Sequence, residues 1–210
     1  MRTTATAVAV LAAAGIANAQ VWDEVGDAGQ DGIAAAQETV GVGSLTAING
    51  TLGTDVDLYA IMITDVDAFT ASTVDSAGFD TQLFLFAADG TGITENDDDS
   101  ISGSLQSVLN SDGLIATGSG PGLYYVAVTE FNQDPLDADG IDMFGFDTWP
   151  GSGDQRSPVS ALALDTWDGA SFGSGGDYTI ALTGAGFAIP SPASLALLGM
   201  GGLLASRRRR

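Results

Sequence analysis

Apolar side chains recur at every second position in several stretches of the chain, which is the pattern of β-strands. In segment 177–184, for example, Tyr178, Ile180 and Leu182 share one face, and smaller or polar residues occupy the other. The clearest segments of this kind are 57–64, 67–73, 81–90, 123–131 and 177–184, and weaker ones are 44–49, 104–109 and 161–167. Turn residues such as Asp89 and Gly90 separate them.

About eight short strands joined by polar turns predict an all-β fold, an antiparallel β-sandwich or jelly roll. The aromatic residues of the strands are expected in its core. Helices are expected only at the two termini, as an N-terminal signal peptide and a C-terminal hydrophobic helix. The stretch 131–176 is longer than a hairpin connection needs, and long ordered loops of this sort are usually functional or flexible.

The first 19 residues have the composition of a secretory signal peptide. Arg2 is followed by an apolar stretch from 5 to 16 and by Ala17-Asn18-Ala19, an A-x-A cleavage site. Cleavage after Ala19 leaves Gln20 as the first residue of the mature chain. The alternative is a buried N-terminal helix. The signal peptide places the body outside the cytoplasm, with signal peptidase as a partner during export.

The other terminus, 190–210, joins a proline pair to an uncharged run and a cluster of arginines. As a helix, the run 193–206 rises about 21 Å, which is short of the ~30 Å hydrocarbon core of a bilayer. Arginines after such a helix stay on the cytoplasmic side. Transient membrane insertion is therefore expected; a simple tail anchor and a core helix are the alternatives. The residues that define this tail are Pro190, Ser191, Pro192, Arg207, Arg208, Arg209 and Arg210.

This three-part tail resembles the PEP-CTERM sorting signal of exported bacterial proteins. The resemblance implies that an exosortase, an integral membrane protease-transferase, recognises and processes the tail. The family's usual motif is Pro-Glu-Pro, whereas Ser191 replaces the acidic residue here. Sorting to the cell surface or the extracellular matrix is the expectation that follows.

The chain is strongly acidic. It has 27 acidic and six basic residues, which give a net charge of −21. Arg156 is the only basic residue between Gln20 and Ile189. Such a surface repels nucleic acid and attracts divalent cations. The chain has no His and no Cys, which excludes Ser-His-Asp and Cys-His catalysis, His-ligated zinc and disulfides. We therefore expect no enzyme.

Two acidic stretches have the composition of calcium ligands, since Ca²⁺ takes six to eight oxygen atoms, mostly from turns. Crowded carboxylates cost free energy unless a cation neutralises them. One stretch begins a predicted strand and the other is the turn Glu95-Asn96-Asp97-Asp98-Asp99-Ser100. The predicted metal ligands are Asp55, Asp57, Asp97, Asp98 and Asp99. The alternative is a solvated acidic turn.

The long stretch 131–176 carries two further candidate sites. Asp137, Asp139 and Asp142 have the spacing of a calcium loop, although not that of an EF-hand. Trp149 and Trp167 are candidates for stacking on the apolar faces of sugars. The alternative for both tryptophans is that they close one end of the sandwich.

The order of motifs in the body resembles the bacterial pre-peptidase C-terminal domain. They are Asp-x-Asp-x-Tyr at 55–59, Leu-Phe-Leu-Phe at 83–86, Asn-Asp-Asp at 96–98, Gly-x-Tyr-Tyr-Val at 122–126 and Gly-Asp-Tyr-Thr at 176–179. The resemblance implies a non-catalytic β-sandwich that in some members binds calcium or a polymer. The predicted organisation is a signal peptide (1–19), a lead-in (20–44), a sandwich (45–184) with an insertion (131–176), a linker (185–189) and the sorting signal (190–210).

Together these features predict a non-enzymatic exported protein with a structural or binding body that calcium stabilises. A calcium-dependent carbohydrate-binding module for matrix polysaccharide is the alternative, and a glycoside hydrolase using a carboxylate pair is a further one.

Overall fold

Two β-sheets packed face to face form the body of the molecule. The structure, a computed structural model, describes residues 20–145, 155–169, 173 and 175–191. The signal peptide lies outside these residues, as does the hydrophobic helix expected at the C-terminus. The strands are β1 (Gln20–Asp23), β2 (Gln37–Glu38), β3 (Val40–Gly41), β4 (Leu45–Thr51), β5 (Asp57–Ile63), β6 (Thr70–Ser72), β7 (Thr81–Ala87), β8 (Gly92–Asn96), β9 (Val108–Asn110), β10 (Gly122–Glu130), β11 (Pro135–Asp137), β12 (Leu164–Trp167), β13 (Asp177–Thr183), β14 (Ala185–Phe187) and β15 (Ile189–Pro190).

The first sheet has the strand order β1-β4-β13-β6-β9, and the second has the order β14-β5-β10-β7-β8, with β2 added beside β5. Two further pairs, β11 with β12 and β15 with β3, form small sheets of their own. The predominantly β architecture expected from the alternation is thus confirmed, and each of the eight predicted segments overlaps a strand.

An inner apolar cluster fills the space between the two sheets. Tyr178, Ile180 and Leu182 of β13 face it from the first sheet, because alternate residues of a strand point to the same side. The intervening residues of β13 are exposed or half-buried, so this sheet turns its other face to solvent. The second sheet contributes Tyr59, Ile61, Ile63, Leu83, Leu85, Val126 and Val128.

An outer apolar cluster covers the opposite face of the second sheet. Its strands β5 and β7 are therefore buried on both faces, which explains why they read as continuous apolar runs. Phe84 and Phe86 of β7 pack there against Phe144 and Trp167, with ring centroids 5.4 to 6.1 Å apart. The described parts of the insertion 131–176 thus form a third layer on the sandwich.

An ion pair connects that third layer to the edge of the second sheet. The Arg156 guanidinium pairs with the fully buried Glu95 carboxylate of β8 and donates a 3.0 Å hydrogen bond to the carbonyl of Gly145. The backbones of Arg156 and Glu95 exchange two hydrogen bonds of 2.9 and 3.1 Å. The only basic residue of the body is therefore a structural contact.

The structure differs from the expected antiparallel sandwich at its periphery. Three pairs are parallel, namely β1 with β4, β2 with β5 and β15 with β3. The segments expected as lead-in and linker thus add strands to the sheets. The expectation of helices only at the termini was wrong, since Ile33–Ala35 forms a 3₁₀ turn and Asp112–Thr117 forms helix α1. These helices are too short for a helical period to show in the sequence.

Candidate metal centre

Asp57 begins β5 and is fully buried beside two tyrosine hydroxyl groups. Its Oδ2 accepts a 2.6 Å hydrogen bond from the hydroxyl of Tyr178, which lies 2.7 Å from the hydroxyl of Tyr59. Gly50 of β4 lies against this pair, where any Cβ would overlap with the Tyr178 hydroxyl. Asp57 Oδ1 is also buried, and none of the described residues donates a hydrogen bond to it. An orphaned carboxylate oxygen of this kind is costly unless a ligand reaches it.

Glu24 and Asp27 bring two more carboxylates to Asp57. They follow β1, whose parallel pairing with β4 carries the chain to this point. Glu24 is held by two backbone N–H groups, those of Ala28 at 2.8 Å and Thr51 at 2.9 Å. Asp27 is exposed, which leaves the group open to solvent on one side.

The three carboxylates fit a calcium ion. One oxygen atom from each lies within 4.8 Å of the others, and ligands bound to one ion at about 2.4 Å cannot be farther apart than about 4.8 Å. Two of the three side chains are also oriented by hydrogen bonds, so little reorganisation is needed. Three protein oxygens leave further coordination positions for water or backbone carbonyls.

Burial raises the pKa of Asp57 to about 8, and the negative charges of Glu24, Asp55 and Asp27 add to this effect, while the Tyr178 hydroxyl opposes it. Burial also raises the pKa of both tyrosines, so they stay neutral and keep their donor protons. Without a cation Asp57 is therefore protonated at neutral pH, and a calcium ion would displace that proton.

A second acidic group consists of Asp80, Asp97 and Asp98, each of which also offers an oxygen within 4.8 Å of the others. Asp80 precedes β7, and the other two follow β8, its antiparallel neighbour. Burial raises the pKa of Asp80 to about 6, with further contributions from Asp98 and Glu130. Its Oδ1 is buried without a hydrogen bond from the described residues.

The structure distributes the five predicted ligands differently from the sequence prediction. Asp57 belongs to the first group, and Asp97 and Asp98 belong to the second. Asp55 contributes charge near Asp57. Asp99 closes its own turn: a hydrogen bond from the Ser102 side chain, together with those from the N–H groups of Ile101 and Ser102, lowers its pKa.

Sequence reasoning missed Glu24, Asp27 and Asp80. The first two lie in the presumed lead-in, and only the long-range pairing of β1 with β4 brings them to Asp57. Asp80 did carry a signal, because it stands directly before a strongly alternating strand, the same position that drew attention to Asp55 and Asp57.

The predicted calcium loop in the insertion is a set of hydrogen-bonded turns. Asp137 accepts hydrogen bonds from the N–H groups of Asp139 and Ile141 and from the hydroxyl of Ser160, which lowers its pKa. Asp142 accepts from two backbone N–H groups, at 2.9 and 3.1 Å. Within the described part of the chain, neither three-carboxylate group includes an aspartate of this loop.

Trp167 is half-buried in the outer cluster, and its Nε1 donates a 2.8 Å hydrogen bond to the carbonyl of Gln30. It thus closes the outer layer of the second sheet. Trp149, the other predicted sugar-binding residue, lies outside the described residues.

The first residues of the predicted sorting signal belong to the folded body. Pro190 lies in β15, and the N–H group of Ser191 donates a 3.0 Å hydrogen bond to the carbonyl of Gly41. Pro192, the four terminal arginines and the predicted cleavage residues Ala17 and Ala19 lie outside the described residues. None of the helices in the described ranges combines the length and apolar character needed to cross a bilayer.

Comparison with protein-family models, with curated proteins and with solved structures found no match to this chain.

Proposed function

We propose that the chain is an exported, non-enzymatic protein whose β-sandwich is a calcium-stabilised structural or binding module. Its C-terminal PEP-CTERM-like signal would deliver it to the cell surface or the extracellular matrix. The observation that carries the calcium part is the buried, unpartnered Oδ1 of Asp57 beside Glu24 and Asp27. The signal peptide and the tail carry the export part.

The physical basis of the calcium proposal is the free-energy cost of ionising all three carboxylates without a cation. Three ionised carboxylates within reach of one another repel, and one of them is cut off from water, so Asp57 keeps its proton unless a cation takes its place. A divalent cation would convert this repulsion into attraction and satisfy the orphaned oxygen. Because Glu24 lies beyond β1 and Asp57 begins β5, the ion would link the N-terminal segment to the second sheet.

The test is a calcium titration of the full chain by calorimetry, followed by thermal unfolding with calcium and with chelator. Binding to the native state at 100 times Kd should add about 2.7 kcal/mol of stability. Asp57→Asn should abolish the heat of binding at this site and the stabilisation. Asp67→Asn is the matched control, because Asp67 is exposed and belongs to neither acidic group. An unchanged unfolding temperature with calcium in the unsubstituted chain would reject the proposal.

A further inference from the structure

A cavity of about 760 Å³ opens at the edge of the second sheet, where β2 joins β5. Its walls come from several separate segments and include Trp22, Ile33, Gln37, Glu38, Leu123 and Tyr125. Pockets of about 300 to 1,000 Å³ lined by aromatic and apolar side chains with a few polar groups are typical small-ligand sites. This cavity has that size and composition.

Hydrogen bonds fix one wall of the cavity in advance. The Gln37 side chain accepts from the indole Nε1 of Trp22 at 3.2 Å and from the N–H group of Val25 at 2.9 Å. It also donates to the carbonyl of Val25 at 3.1 Å. The single N–H donor of the indole is already hydrogen-bonded to Gln37, so Trp22 can contact a ligand only through its ring. A wall that is already ordered lowers the entropic cost of binding.

A cross-strand row sets the chemistry of the other wall. Glu38 of β2 pairs with Ala60 of β5, and Ala60 pairs with Tyr125 of β10. Paired residues face the same side of a sheet, so the carboxylate and the phenol ring stand on either side of a small alanine. Adjacent strands are about 4.8 Å apart, which places β2 and β10 roughly 10 Å apart. Glu38 and Tyr125 thus flank the buried Ala60 on the same face of the sheet, a carboxylate on one side and an aromatic ring on the other.

The negative charge beside the cavity determines which ligands it attracts. Glu38 is the only ionisable carboxylate among the described lining residues, and it is exposed. The body around it has one basic residue against 27 acidic ones, so an anionic ligand is repelled and a cationic one is attracted. Aromatic rings favour flat apolar faces and cations. A pyranose ring that bears an ammonium group can contact both the carboxylate of Glu38 and the ring of Tyr125.

The geometry points to an amino-sugar site: the cavity binds glucosamine-type units of a polysaccharide, with the ammonium group at Glu38 and the apolar sugar face on Tyr125. The inference rests on the binding function proposed above and names its ligand class. It does not depend on calcium, because Glu24, Asp27 and Asp57 are not part of the cavity lining.

The test uses the full chain with a glucosamine trisaccharide, its N-acetylated form and a neutral glucose trisaccharide, followed by calorimetry at physiological salt. Only the unacetylated trisaccharide should bind well. Glu38→Gln should weaken its binding about tenfold, since a charge-assisted hydrogen bond is lost. Tyr125→Phe, which keeps an aromatic ring, should retain binding better than Tyr125→Ala. Asp67→Asn removes the same charge elsewhere on the surface and should leave the affinity unchanged.

Three results would overturn the inference. Equal weakening by Glu38→Gln and Asp67→Asn would show diffuse attraction of a polycation instead of a site. Equal binding of the neutral trisaccharide would remove the role of the amine, and equal binding of a trilysine peptide would remove the role of the sugar ring. Calcium binding is measured separately on the same samples, so loss of sugar binding with calcium binding intact rejects the ligand alone. Loss of calcium binding alone rejects the calcium proposal.

Discussion

Asp57 combines full burial, one strong hydrogen bond and one orphaned oxygen. Its pKa is about 8 in the folded chain and 3.8 in an unfolded one, so the native state binds this proton more tightly than the unfolded state does. Between these values the native state binds a proton that the unfolded state releases. The free energy of unfolding contributed by this group is therefore fully present below about pH 4 and is lost as the pH rises towards 8.

The first prediction at this scale is that, without calcium, the free energy of unfolding falls by about 2 kcal/mol between pH 6 and 8. Few other groups interfere in this range, because the chain has no His or Cys, and the raised pKa values of Asp80 and Asp134 are about 6. Saturating calcium should remove the fall, since the ion takes the place of the proton. Urea unfolding at several pH values, with chelator and with calcium, measures it.

Asp57→Asn is the control for this prediction, because the amide oxygen can still accept from Tyr178 while the titrating group is gone. The variant should show a flat profile between pH 6 and 8. A fall of the same size in the variant would assign the titration to another group.

How far the site can be predicted from the sequence is decided residue by residue. Asp57 was identifiable, because it points to the same side as Asp55 at the start of a predicted strand, where carboxylates can act together as calcium ligands. Glu24 was not, since its role depends on a parallel pairing between segments 20–23 and 45–51 that leaves no mark in local periodicity. The contact between Tyr59 and Tyr178, which are 119 positions apart in sequence, could likewise not be predicted from the sequence.

At the scale of elements, period-two alternation identified most strands of the two sheets, but it missed three that lie at their edges, β1, β8 and β14. It failed for β2, β3 and β15, which have two residues each and are too short to alternate. It also could not show that β7 is covered on both faces. Phe84 and Phe86 faced away from Leu83 and Leu85 in the sequence pattern, but only the fold shows that the insertion supplies their partners Phe144 and Trp167.

The ion pair of Arg156 with Glu95 is the element-scale contact to test, because it ties the insertion to β8. Arg156→Met should lower the free energy of unfolding by about 3 kcal/mol, since it leaves a buried carboxylate without its cation. Adding Glu95→Gln to Arg156→Met should restore part of the lost free energy of unfolding, because it removes the buried negative charge of Glu95. Urea unfolding of the single and double variants measures both effects. A loss below about 0.5 kcal/mol for Arg156→Met would show that the pair does not hold the insertion in place.

At the scale of the whole molecule, the fold gives physical limits to the processing expected from the sequence. The N–H group of Gln20 donates a 3.0 Å hydrogen bond to the carbonyl of Ser44, so the sheet begins at the residue that signal peptidase would leave first. At the other end the body is hydrogen-bonded up to Ser191. Cleavage before Ile189 would remove β15 and with it the pairing to β3, and cleavage between Pro190 and Ser191 would remove the hydrogen bond to Gly41. Processing that leaves these contacts intact would therefore have to occur after Ser191.

The corresponding prediction concerns the protein isolated from its own cells. Its intact mass should match a chain that starts at Gln20 and ends between 191 and 206, without the four arginines, and fractionation should place it outside the cell. Replacing Arg207 to Arg210 by Ser is the matched variant, because it leaves the described body untouched and removes the positive end that a cytoplasmic-side signal requires. This variant should keep its uncut tail or be lost from the surface. An unsubstituted chain found in the inner membrane with all four arginines would instead identify the tail as a permanent anchor, and the body would be a tethered domain.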